Sequence, residues 1–333
     1  MVEEVANEVK ASTPEEVLAA LRDDLGKDGF QYDLDPNHVA TFLSRGSKKL
    51  LVTFETLENT LNVSGNGMPI GLDFVEDKNW SLLHLTARKE SWFRSQAVYE
   101  FIDELVDDMF FEEFDQVMFY GAGIGAYAAC AFSVAAPGAT VLALSPQATL
   151  DSERAGWDMR FPEAKRLRFN DRYGYAPDML EGAASAFILY DPYRSLDHVH
   201  ASLFQGPNVQ RLKCRHMDGL IELTLREMDM LHQVIELTSD GSMTAPAFYR
   251  LLRRRRHHNR YLRTVLHALN RQNRPLRVAY LCQYAFKNTG GGPFFKRNLA
   301  AATDVLRQKG PLPDWLLDDT AELATAEPKR KTL

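Results

Sequence analysis

Cysteine is scarce in this 333-residue chain, which has only Cys130, Cys214 and Cys282. Three thiols so far apart exclude a disulfide framework and a cysteine-built zinc site, and they fit a reducing compartment. The opening MVEEVANEVK lacks a basic stretch followed by an apolar one, so the expectation is a cytoplasmic chain without a secretory signal. Neither the P-loop pattern G-x-x-x-x-G-K-[ST] nor a dinucleotide-type G-x-G-x-x-G with a later acid occurs. No metal or organic cofactor is therefore expected. An excess of positive charge is also missing. The net charge of −6 speaks against whole-molecule affinity for nucleic acid or an acidic membrane, although it allows a local basic patch.

Charge is absent altogether from Gln116 to Leu150. That run is long enough to suggest a membrane span, but Gly121, Gly123, Gly125, Pro137 and Gly138 interrupt it. An aromatic and β-branched part, an alanine-rich part and a second β-branched part succeed one another. This is how a buried strand–helix–strand unit of a parallel sheet reads, because its strands are covered on both faces.

Around this unit the expected elements alternate. Thr13 can cap a helix running to Leu25, with Pro14 at its first position and Glu16 as the capping-box acid. Strands follow at His38–Leu43, Lys49–Phe54 and Ser81–Ala87, with a loop over Asn62–Gly71. A helix over Ser95–Phe111 precedes a strand at Gln116–Tyr120, a turn at Gly121–Gly125, a helix at Ile124–Ala135 and a strand at Thr140–Leu144. Further strands are expected at Ser185–Tyr190 and Val209–Lys213, then a helix over Gly219–Leu237. Such alternation implies a mostly parallel twisted sheet with helices on both faces. Four parts are expected: an N-terminal helical segment (1–36), the α/β domain (37–240), a basic C-terminal extension (241–320) and a disordered tail (321–333). The extension reads as a helical stretch over Ala245–Asn270, then a strand at Arg277–Gln283 and a helix at Phe294–Lys309.

The segment Tyr120-Gly121-Ala122-Gly123-Ile124-Gly125-Ala126-Tyr127 has the form of a nucleophile elbow, G-x-S-x-G between strand and helix. Its middle residue is Gly123 where the pattern has serine. Asp191, ending one later strand, and His216, just past the next, occur in the order acid then base, where open parallel sheets gather active groups. Asp197 and Asp218 are rival acids, and His232 is a rival base. Ser145, in Leu144-Ser145-Pro146-Gln147, is expected to cap a turn.

With its elbow, Ala128 and the strand running into Ser-Pro-Gln, the chain resembles the α/β-hydrolase superfamily, particularly members related to cell-surface polysaccharide loci. The resemblance covers about residues 45 to 237. It implies that Gly123 stands at the nucleophile position, with Asp191 and His216 as acid and base. It also implies a pocket at Glu55, Ala122 and Ile124, with oxyanion donors from the Ile124 amide and from the loop beginning at Glu55. Without a serine oxygen the covalent route is closed. The first expectation is thus a non-catalytic protein that binds a small molecule, a glycan or a partner, in surface-polysaccharide metabolism. One alternative is an enzyme in which His216 acts as general base on water. Another is a glycosyltransferase-related accessory protein, because Gly290-Gly291-Gly292 between a strand and a helix resembles the opening of GT-B glycosyltransferases. Arg253, Arg254, Arg255 and Arg256 describe either a solvated helix or a dock for an anionic partner.

Overall fold

The computed structural model describes residues 11–63 and 66–316. The tail expected from Ala321 lies outside the described residues. The chain divides into two compact units, Met1–Phe248 and Tyr249–Leu333. The first therefore runs past the change of character expected at Asp240.

One eight-stranded sheet organises the first unit. Its strands are β1 (Phe30–Asp33), β2 (His38–Leu43), β3 (Lys49–Thr56), β4 (Ser81–Ala87), β5 (Gln116–Ala122), β6 (Thr140–Leu144), β7 (Ser185–Tyr190) and β8 (Val209–Lys213). They lie in the order β1-β2-β4-β3-β5-β6-β7-β8. β1 pairs antiparallel with β2, and β2 with β4, while every other pairing is parallel. The helices are α1 (Pro14–Asp23), α2 (Leu57–Val63), α3 (Ile70–Lys78), α4 (Gln96–Asp107), α5 (Ile124–Phe132), α6 (Ser152–Ala155), α7 (Ser195–Leu203), α8 (Ile221–Glu227), α9 (Leu231–Ser239) and α10 (Ala245–Leu251).

Side chains alternate across the sheet, and the two faces bury different partners. Leu50, Val52 and Phe54 share one core with α4 and with the wholly buried Ala126–Phe132 stretch of α5. Thr53 points to the other face, where α3 comes so close that a Cβ on Gly71 would lie 3.0 Å from its methyl group. Because both faces are covered, β3 and β4 read as continuous apolar runs.

Several expectations hold in detail. Thr13 and Glu16 form the capping box of α1, and the strands from β2 to β8 fall where the sequence placed them. Others are corrected. β1, α2 and α3 were not foreseen. The helix expected over Gly219–Leu237 is two, α8 and α9, with Asp229 at positive φ between them.

The second unit is helical, with α11 (Asn259–Arg271), α12 (Pro275–Thr289) and α13 (Pro293–Arg307). The stretch expected as one helix over Ala245–Asn270 is broken by a 3-10 turn at Leu252–His257. The strand expected at Arg277–Gln283 is instead part of α12. Its apolar residues Val278, Ala279, Cys282 and Ala285 recur at helical spacing and are the ones buried. They pack with Leu262 and Leu266 of α11 and with Phe295 and Leu299 of α13.

Candidate functional site

β5 stops at Ala122 and α5 begins at Ile124, leaving Gly123 to make the turn with φ +56° and ψ −118°. An L side chain seldom adopts that backbone conformation. The flanking glycines are required for a different reason. A Cβ on Gly121 would sit 2.2 Å from the Gly125 carbonyl oxygen, and one on Gly125 would sit 2.0 Å from that of Phe54. Around a Cβ on Gly123 there is nothing within 4 Å. The turn therefore presents an open position above the middle of the sheet. The Gly123 amide donates to the Leu144 carbonyl at 2.8 Å and ties the turn to β6.

A cleft of about 180 Å³ adjoins this position, bordered by Asn59, Ala122, Gly123, Ser145, Leu220 and Glu222. Ser145 occupies the left-handed region at φ +56°. Its hydroxyl is buried with no hydrogen-bond partner, so it does not cap the turn as expected. Beside the cleft a hollow of about 10 Å³, roughly what one water fills, is lined by Glu55, Ile124, Gly125 and Glu222.

Two carboxyl groups thus approach the turn. Glu55, at the end of β3, accepts from the Ile70 amide and the Thr60 hydroxyl, each at 3.1 Å. Burial, and then the neighbouring Glu222, push its pKa up to about 8. Glu222 in α8 accepts from the Tyr120 hydroxyl at 2.5 Å. Burial raises its pKa too, against the opposing pull of Tyr120 and Arg226. Glu55 was singled out from the sequence. Glu222 was not, because on α8 it looks like any helical acid.

Asp191 and His216 lie on the loops that follow β7 and β8. Asp191 is almost fully buried at the end of β7. Its two oxygens accept from the amides of Tyr193 at 3.0 Å and Asp218 at 2.8 Å, fixing the loop after β8. His216 stands in that loop at φ +64°, its ring stacked on Tyr193 with centroids 4.2 Å apart. The rival acids are also engaged. Asp197 pairs with Arg160 at 2.5 Å, and Asp218 pairs with Arg194 at 3.3 Å. His232 lies on α9, its ring edge-on to Phe74.

A buried network stands behind the segment that follows Ser145. The Ala148 amide donates to His200 Nδ1 at 3.2 Å, which puts the proton on Nε2, and Nε2 donates to Asp158 at 3.0 Å. Burial alone would raise Asp158. Hydrogen bonds from Arg160 outweigh it and bring the pKa down to about 2. A serine–histidine–aspartate contact also occurs at the far side of the sheet, where Ser91 Oγ lies 2.7 Å from His38 Nε2 and His38 Nδ1 lies 2.8 Å from Asp35. There Asp35 also accepts from the Asn37 and His38 amides, and Ser91 Oγ accepts from the Phe93 amide. The cluster fastens the β1–β2 turn to the segment after β4.

In the second unit, Arg253, Arg254 and Arg256 are exposed. Arg255 is half-buried, its guanidinium 5.2 Å from the centre of the Tyr261 ring. Gly290–Gly292 joins α12 to α13, two helices. Among the described residues no group of three or more His, Cys, Asp or Glu could hold a metal ion, and no helix is long and apolar enough to cross a membrane.

No family model and no curated protein matches this chain. Among solved structures it is similar to an esterase from Pyrococcus furiosus at 12% identity and TM-score 0.39, covering 68% of this chain and 95% of that one. It is also similar to a putative thioesterase from Silicibacter sp. at 13% identity and TM-score 0.41, covering 66% and 90% respectively. A third is a capsule O-acetyltransferase of Neisseria meningitidis serogroup A at 9% identity and TM-score 0.40, covering 64% and 99%. The architecture of the first unit, a mostly parallel sheet with its sharp turn after β5, is α/β-hydrolase-like.

Proposed function

We propose that this protein uses a hydrolase-type fold to bind a ligand without attacking it covalently, Gly123 standing where a nucleophilic serine would otherwise be. The observation that carries this reading is the backbone at Gly123. It holds a conformation that would be strained for any other residue, with open space for a side chain, and supplies no side-chain oxygen. The engagement of Asp191 with two backbone amides supports it further, since that carboxylate fixes the loop after β8.

The ligand class follows from the cleft. With its pKa at about 8, Glu55 holds its proton near neutrality and can donate a hydrogen bond, and burial shifts Glu222 in the same direction. Ser145 and Glu222 border the cleft, and Glu55 lines the hollow beside it. Such a lining suits a small ligand rich in oxygen acceptors. A sugar unit of a surface polysaccharide is the candidate to which the sequence resemblance points. Cytoplasmic location and an anion dock at Arg253–Arg256 remain parts of the proposal. The glycosyltransferase-like reading is not carried further, because the strand it requires before Gly290 is the helix α12.

A panel of acyl esters and glycans, screened with wild type and His216→Ala, tests this reading. We expect glycan binding that survives the substitution, with no ester turnover above background. Ester turnover that disappears in His216→Ala would establish the general-base enzyme instead.

A further inference from the structure

No Asp or Glu occurs between Asp240 and Asp304, whereas 13 Lys and Arg do. Of the two acids among the described residues of the second unit, Asp304 lies 3.5 Å from Arg307 and Asp314 precedes Trp315. Over Tyr249–Leu333 as a whole, 18 Lys and Arg face 6 Asp and Glu, an excess that gives a positive potential.

The potential has an apolar centre at one place. Leu276 and Tyr280, one turn apart on α12, are 48% and 66% exposed. The Trp315 ring stands edge-on to Tyr280 at 5.9 Å and is itself 37% exposed. Gln283 Nε2 donates to the Trp315 carbonyl at 3.2 Å and fixes it there. Arg271 ends α11, Arg274 precedes α12 and Arg277 lies in its first turn; all three are exposed. The opposite face of α12 is spent on the core, so this face is left for water or for a partner.

We propose that this face of the second unit docks on an anionic lipid surface, with Leu276, Tyr280 and Trp315 at the headgroup level and Arg271, Arg274 and Arg277 against the anionic headgroups. Aromatic rings with a polar edge settle at the membrane–water boundary, and an exposed leucine beside them reaches the acyl region. The arginines respond to the negative potential of the leaflet, and each adds roughly a factor of five to binding. A nucleic acid strand would use the arginines and rings but leaves Leu276 without a role. The proposal does not depend on what the Gly123 cleft binds.

Flotation of the full chain with vesicles tests it, using phosphatidylcholine alone and with one part in four phosphatidylserine. Binding is expected only to the anionic vesicles, and it should weaken at high salt. Arg271→Ala/Arg274→Ala/Arg277→Ala should lose on the order of 100-fold. Leu276→Ser/Tyr280→Ser should also weaken binding, and both variants should keep the wild-type melting temperature because the sites are exposed. The proposal is overturned by no flotation with anionic vesicles at low salt, by flotation that neither variant changes, or by a single-stranded oligonucleotide or polyanionic glycan being bound in preference to the vesicles.

Discussion

At the scale of single residues, the glycines of the turn do unequal work. Gly121 and Gly125 are closed by neighbouring backbone, whereas Gly123 is needed only for its φ of +56°. Gly123→Ser should therefore fit without a clash and cost about 1–3 kcal/mol of stability through backbone strain, which urea unfolding measures. Glu55 offers a test with a definite sign. Unfolded, it releases its proton near the ordinary glutamate value of 4.5, and folded, near 8. The folded chain holds the extra proton between those values, so this group's contribution to stability falls as pH rises through the window. Glu55→Gln removes that slope. Relative to wild type, the variant should gain stability from pH 5 to pH 8 in denaturation series. The turn could be read from sequence because a strand, three alternating glycines and a helix leave the backbone few choices. Glu222 could not, since its role depends on Tyr120 and Glu55, which lie far off along the chain.

At the scale of elements, the parallel strands were legible because burial on both faces turns them into uninterrupted apolar runs. β1 was not, because Phe30–Asp33 is a four-residue edge strand with half its residues exposed. The strand expected at Arg277–Gln283 shows the ambiguity of short apolar runs. The unbroken run from Val278 to Cys282 suits a doubly buried strand or a helix, and only the continuation to Ala285 decides for the helix. Connections depend on clusters that no spacing announces. His200 on α7 and Asp158 in the segment after α6 are both fully buried, with Arg160 bridging to Asp197. Asp158→Ala leaves the Arg160 charge and the His200 ring without their main partner. About 3–5 kcal/mol should be lost, with the loosening seen first as faster hydrogen exchange at the Ala148 amide.

At the scale of the whole molecule, the net charge of −6 conceals two opposed parts. Tyr249–Leu333 carries 18 Lys and Arg against 6 Asp and Glu, and the remainder of the chain carries the acidic excess. A composition average therefore predicted too little for the helical unit, whose surface has its own electrostatic character. The fold of the first unit places the Gly123 turn in the middle of the sheet with Glu55 and Glu222 beside it, and on our proposal these acids stand there in place of an attacking oxygen. Intact-mass measurement after treatment with a fluorophosphonate, on wild type and Gly123→Ser, tests that claim most directly. The account predicts no adduct on either protein: the first has no serine at the turn, and in the second the Asp191 carboxylate is engaged by the Tyr193 and Asp218 amides. A stoichiometric adduct on wild type, mapped to Ser145, Ser91 or any other serine, would contradict it.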